Sequence, residues 1–195
     1  MRHHEFTGVM LAGGRSRRFG SNKALARVEG CRLIELPARV LANIFSRLLL
    51  VTNSPELYCF LGWAMVPDLL PGAGPLAGIQ TALHHAATPY IFVTGCDMPT
   101  LDPKLIAYLC ERAAGYDVVL PVTDAGPEPL HAVYSRNALP QIDAALAVGV
   151  RKIQEGLKSL RVLEIGPETL AGFGDSPARS FGNINTVADL PKKER

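Results

Sequence analysis

Short aliphatic or β-branched runs alternate with helix-length amphipathic stretches along most of this 195-residue sequence. That pattern leaves few solutions, because parallel strands need a crossover helix and each sheet face must be covered. Phe6–Leu11 is apolar and runs into glycines, which predicts a strand feeding a loop. Leu33, Leu36, Val40, Leu41 and Ile44 recur at helical spacing and predict a helix over 33–45. Further strands are expected at 47–52, 63–66, 90–94, 118–121 and 130–134. Helices are expected at 55–61, 75–87, 102–113 and 138–148, with Pro75 in a first turn and Asp102 capping ahead of Pro103. The expected fold is α/β: a three-layer sandwich around a mainly parallel, Rossmann-like sheet, one domain over 1–195. No repeat, low-complexity tract or linker marks a second unit, and the glycine-rich 166–182 stretch reads as a surface loop.

Composition narrows the function classes. Hydrophobic residues make up 48% and charged residues 19%, which suits a packed core and excludes a disordered chain. No apolar run has the length of a membrane span, and the N-terminus carries no signal-peptide pattern, so a cytoplasmic protein without membrane contact is expected. A net charge of +2 is too small to argue for nucleic acid. Cys31, Cys59, Cys96 and Cys110 are scattered, without a Cys-x-x-Cys pair, and read as reduced, mostly buried thiols.

Ligands of open parallel sheets gather beyond the carboxyl ends of the strands. Three segments there carry unusual residues. The first is Leu11-Ala12-Gly13-Gly14-Arg15-Ser16-Arg17-Arg18-Phe19-Gly20-Ser21-Asn22-Lys23. Its glycines let backbone N–H groups approach an anion, and its four cations add charge-assisted donors, so it reads as a triphosphate-binding loop. Arg18 and Lys23 are the expected ligands, with Arg15 and Arg17 exposed. The loop is no Walker A motif, because Ala24 follows Lys23. The alternative is a surface turn with solvated charges.

The second segment, Asp68 followed by Leu69-Leu70-Pro71-Gly72-Ala73-Gly74-Pro75-Leu76-Ala77-Gly78, suits contacts to a base or ribose, or else a turn with Asp68 as a local cap. The third, Thr94-Gly95-Cys96-Asp97-Met98-Pro99, ends an apolar run in a carboxylate. Such a group suits Mg²⁺, which takes few protein carboxylates plus phosphate oxygens; the alternative is a turn or capping aspartate.

In this order the three segments resemble the molybdenum cofactor guanylyltransferases, within the wider nucleotidyltransferase group. Leu11 through Lys23 meets the family pattern Leu-Ala-Gly-Gly-x-Ser-x-Arg-(Met/Phe)-Gly-x-x-Lys, and Gly13-Gly14 is similar to the GTP-using branch. Gly74–Gly78, Cys96–Pro99, Pro129–Tyr134 and Asn183-Ile184-Asn185-Thr186 match its later blocks, so the resemblance spans about residues 6–190. It implies the nucleotide-diphospho-sugar transferase type of fold. It also implies GTP contacts from Leu11, Ala12, Gly13, Lys23, Asn53, Asp68 and Asp97, with Asp97 on Mg²⁺ and with Lys23, Arg18 and Asp97 catalytic. Asn183 and Asn185 are implied at the molybdopterin end. Arg151-Lys152 lies where the family places cations, or is a solvated helix start. His131 falls at a variable family position and is expected to be structural.

The implied reaction is attack by the terminal phosphate of molybdopterin on the α-phosphate of GTP, releasing pyrophosphate. Molybdopterin-synthesis and molybdoenzyme-delivery proteins are the implied protein partners. Positioning and charge neutralisation suffice for such a step, and no nucleophile constellation is present. The rivals are a transferase using CTP or a sugar phosphate, and a non-catalytic nucleotide or cofactor carrier.

Overall fold

The computed structural model describes residues 4–13, 22–28, 30–174, 179–182 and 184. Its strands are β1 (Phe6–Leu11), β2 (Arg27–Val28), β3 (Cys31–Arg32), β4 (Arg47–Val51), β5 (Ala64–Val66), β6 (Tyr90–Gly95), β7 (Val118–Thr123), β8 (Gly126–Pro127), β9 (His131–Ser135) and β10 (Val162–Ile165). Its α-helices are α1 (Glu35–Ile44), α2 (Pro75–His85), α3 (Pro103–Glu111), α4 (Leu139–Ala147), α5 (Ile153–Gly156) and α6 (Pro167–Ala171).

The main sheet runs β10-β7-β9-β6-β1-β4-β5, with β8 hairpinned onto β7 and β2-β3 forming a separate ribbon. β1 is parallel to β4 and β6, β4 to β5, and β7 to β10; β9 is antiparallel to both its neighbours. The sheet is therefore α/β and mainly parallel. The chain leaves β1 in one direction for β4 and β5 and returns to the other side for β6. Such a reversal of strand order opens a crevice at the carboxyl ends.

Period-2 alternation divides each central strand between two cores. Phe6 and Met10 of β1 and Phe92 of β6 pack with α1, α3 and α6, whereas Val9, Ile91 and Val93 pack with α2, α4 and α5. At Gly8 a Cβ would lie 2.6 Å from the Phe45 ring, so the missing side chain is what lets Phe45 close on the strand. Asp102 caps α3 as expected, accepting from the Lys104 N–H at 2.8 Å, with Pro103 next.

Several expectations need correction. The stretch 55–61 forms two 3₁₀ turns rather than one helix. The 166–182 stretch is not simply a loop, because α6 lies within it and buries Leu170 against the sheet core. The β2-β3 ribbon, β8 and α5 were not anticipated; each is too short to show a hydrophobic period. Of the cysteines only Cys110 is fully buried, and Cys59 is exposed; no disulfide joins them. Among the described residues no helix is long and apolar enough to cross a membrane.

Candidate active site

Leu11, Val51 and Gly95 stand in register, so β1, β4 and β6 finish at one level. The junction continues a residue further: the Ala12 N–H donates to Val51 O at 3.0 Å and the Cys96 N–H to Leu11 O at 3.3 Å. Leu11 and Ala12 are half-buried there, and Gly13 is exposed.

Lys23 opens a 3₁₀ turn, Lys23–Leu25, that seats it over this junction. Asn22 caps the turn, its Oδ1 accepting from the Ala24 N–H at 3.1 Å, and its amide donates to the buried Tyr58 hydroxyl at 2.9 Å. From that position the Lys23 ammonium donates to Asp97 Oδ2 at 2.9 Å. The two side chains are 12% and 28% exposed, shielded yet reachable from solvent. Two features set the Asp97 carboxylate. A Cβ on Gly95 would lie 2.5 Å from Asp97 Oδ1, so the carboxyl occupies space only a glycine leaves open. The Ile184 N–H also donates to the Asp97 carbonyl at 3.0 Å, which brings Ile184 to this loop.

A second group stands at the ends of β4 and β5. Asn53 Oδ1 accepts from the Asp68 N–H at 2.9 Å. Asp68 Oδ1 accepts from the Leu70 N–H at 3.2 Å and from the hydroxyl of the fully buried Thr81 at 3.3 Å. Thr81 in turn accepts from the Leu69 N–H at 3.0 Å, so a side chain of α2 organises the whole turn.

The fold thus joins Lys23 to Asp97, Leu11 to the Asp97 loop, Ala12 to the end of β4, and Asn53 to Asp68. Arg15, Arg17, Arg18, Asn183 and Asn185 lie outside the described residues. Arg151 donates to the carbonyls of Leu146 and Val150, while Lys152 pairs with Glu155 at the exposed start of α5. Cys96 is no nucleophile: burial, then the neighbouring Asp97 carboxylate, push its thiol up to about 12. His131 has no exposed surface, and burial pulls its imidazole down to about 3.

Four contributors escaped the sequence reading: Asn22, Tyr58, Thr81 and Gly95. Asn22 did carry a signal, being a capping residue type directly before Lys23. Tyr58 and Thr81 act through partners distant in the chain, and Gly95 acts through the space it leaves for Asp97 two residues on.

Comparison with known proteins identifies the family. Residues 8–162 match the model of the MobA-like NTP transferase domain. A protein of Pelotomaculum thermopropionicum named "Probable molybdenum cofactor guanylyltransferase" is 39% identical over 186 residues, spanning 95% of this chain and 90% of that protein. The molybdenum cofactor guanylyltransferase of Desulfosudis oleivorans is 37% identical, spanning 96% and 94%. The crystal structure of molybdopterin-guanine dinucleotide biosynthesis protein A from Archaeoglobus fulgidus superposes with a TM-score of 0.82 at 32% identity, covering 94% of each chain. The chain belongs to the MobA-like NTP transferase family and is a nucleotidyltransferase.

Proposed function

We propose that this protein transfers GMP from GTP to the terminal phosphate of molybdopterin, forming a guanine dinucleotide and releasing pyrophosphate. The observation that carries this reading is the Lys23–Asp97 pair at the level carboxyl ends of β1 and β6, in a chain whose curated relatives are named guanylyltransferases.

The pair suits an anionic, metal-bearing substrate. Asp97 offers hard oxygen donors, partly exposed and with room beside Gly95, and this fits Mg²⁺ with few protein ligands. Among the described residues there is no metal-holding cluster of three or more His, Cys, Asp or Glu. When bound at Asp97, the cation would supply charge neutralisation at phosphate oxygens. Leu11, Ala12 and Gly13 would present backbone to the nucleotide, with Asn53 and Asp68 toward the guanosine. Lys23 and Arg18 would hold the pyrophosphate while the bond between Pα and the bridging oxygen breaks. Preorganised cations contribute most where charge accumulates on the leaving group. The attacking phosphate oxygen is already anionic, so no residue need act as a general base. Asn183 and Asn185 would serve the pterin phosphate, and Ile184 between them supports this by bonding to Asp97. The reading places one nucleotidyltransferase domain over 1–195 in the cytoplasm, served by molybdopterin-synthesis and molybdoenzyme-delivery proteins.

The test is pyrophosphate release from each of the four NTPs with molybdopterin and Mg²⁺. Release with GTP alone supports the proposal. Release with CTP transfers it to the cytidylyl reaction, and binding without release points to a carrier.

A further inference from the structure

We propose that His131 is a positioning residue for the Asp97 loop: its ring packs on Phe181 and seats the closing segment, so that the Ile184 N–H can hold the Asp97 carbonyl. The inference rests on the reading of Asp97 as the metal-binding carboxylate.

His131 is the first residue of β9 and stands in register with Thr94 of β6, three positions before Asp97. It has no exposed surface, and among the described residues neither ring nitrogen has a hydrogen-bond partner. Burying polar nitrogens in that way carries a desolvation cost that an aliphatic residue would avoid. The ring earns its place through its neighbours. It lies between Phe92, at 5.2 Å and 87°, and Phe181, at 5.2 Å and 89°. Both contacts are edge-to-face, the arrangement in which the positive rim of one ring meets the negative face of another. Phe92 is a fully buried residue of β6, the strand that leads into the Asp97 loop, so one side of the stack is anchored in the sheet.

The other side is Phe181, a turn residue that directly follows the helical residues Arg179 and Ser180. What that segment holds is specific. Ser180 is fully buried before it, and Ile184 after it is 5% exposed, packed with Val28 and Leu33. Between these anchors the Ile184 N–H reaches Asp97 O at 3.0 Å. His131 thus sits between a rigid strand and the segment that fixes the backbone of the catalytic loop. Burial keeps the imidazole neutral, so the stack persists at neutral pH. Residues that orient a metal-bearing carboxylate from behind typically change metal affinity or activity about 10–100-fold when removed.

The test compares His131→Ala, Phe181→Ala and His131→Phe in the full chain. It reads Mg²⁺ half-saturation, kcat, KM for GTP, melting temperature and hydrogen exchange of the Ile184 amide. Removing either ring should raise Mg²⁺ half-saturation and lower kcat about tenfold, leave KM for GTP within about twofold, and deprotect the Ile184 amide. His131→Phe should restore all of these. Should His131→Ala fail to fold, Phe181→Ala removes the same contact from the outer side. A folded Phe181→Ala with native Mg²⁺ half-saturation and Ile184 protection overturns the inference, as does a His131→Phe that protects Ile184 yet stays impaired. Retained activity in Asp97→Ala would overturn the metal assignment beneath it, a separate outcome.

Discussion

Lys23 Nζ donates to Asp97 Oδ2 across 2.9 Å, joining two residues 74 positions apart in the chain. The pair is partly exposed, so its own contribution to stability is small, about 0–1 kcal/mol. Its value lies in placing a cation and a carboxylate on one spot. Lys23→Ala and Asp97→Ala should each lower turnover about 10²–10³-fold. Their melting temperatures should stay within a few degrees of the parent. Because the two act as a unit, the double variant should lose little more than the worse single one, a result that steady-state kinetics on all three proteins would reveal.

Gly95→Ala tests the space reserved for the carboxylate. The new Cβ would sit 2.5 Å from Asp97 Oδ1, well inside contact distance, and the side chain must turn away. Gly95 remains in strand β6, so the fold should survive. Mg²⁺ titration of activity should show a half-saturation raised by about tenfold or more. Unchanged titration would show that the carboxylate tolerates rotation.

Thr81→Val removes a buried hydroxyl that serves both Asp68 and the Leu69 N–H. Valine keeps the shape but leaves that N–H without its partner, at a cost of about 1–3 kcal/mol. Since Thr81 shapes the turn bearing Asp68, KM for GTP should rise several-fold while kcat changes less. Thermal melts and initial rates would separate the two effects.

His131 predicts a pH dependence of stability. Burial lowers its pKa from about 6.5 to about 3 in the folded state, against a weaker raising influence from Asp102. The unfolded chain therefore binds the extra proton between those values, so this contribution is complete above pH 6.5 and is lost as pH falls toward 3. The slope approaches roughly 1.4 kcal/mol per pH unit. Urea melts at pH 7 and pH 5 should show a larger drop in the parent than in His131→Phe. Equal drops would mean that the carboxylates alone govern acid sensitivity.

Much of the architecture was legible locally. β1 announces itself by an apolar run ending in glycine, and α3 by Asp102-Pro103 before its first turn. Period and capping are properties of neighbouring residues, so no tertiary knowledge is needed to see them. The two-residue strands β2 and β8 are too short to show a period, and they left no such trace. His131 shows the same divide. At a position variable in the family it is expected to be structural, and its place between Phe92 and Phe181 depends on three distant segments meeting.

The sequence by itself determined that alternating strands and helices would build a mainly parallel sheet, and that the glycines and cations from Leu11 to Lys23 would follow its first strand. It also supplied a carboxylate after the strand that became β6. Only the tertiary structure decided that Lys23 and Asp97 touch, because that requires β1 and β6 to lie side by side with their carboxyl ends level. Likewise, Thr81, Gly95 and Ile184 gained their roles only on folding. Local propensity acts within a few residues, whereas a site is made by backbone pairing that brings remote loops to one edge.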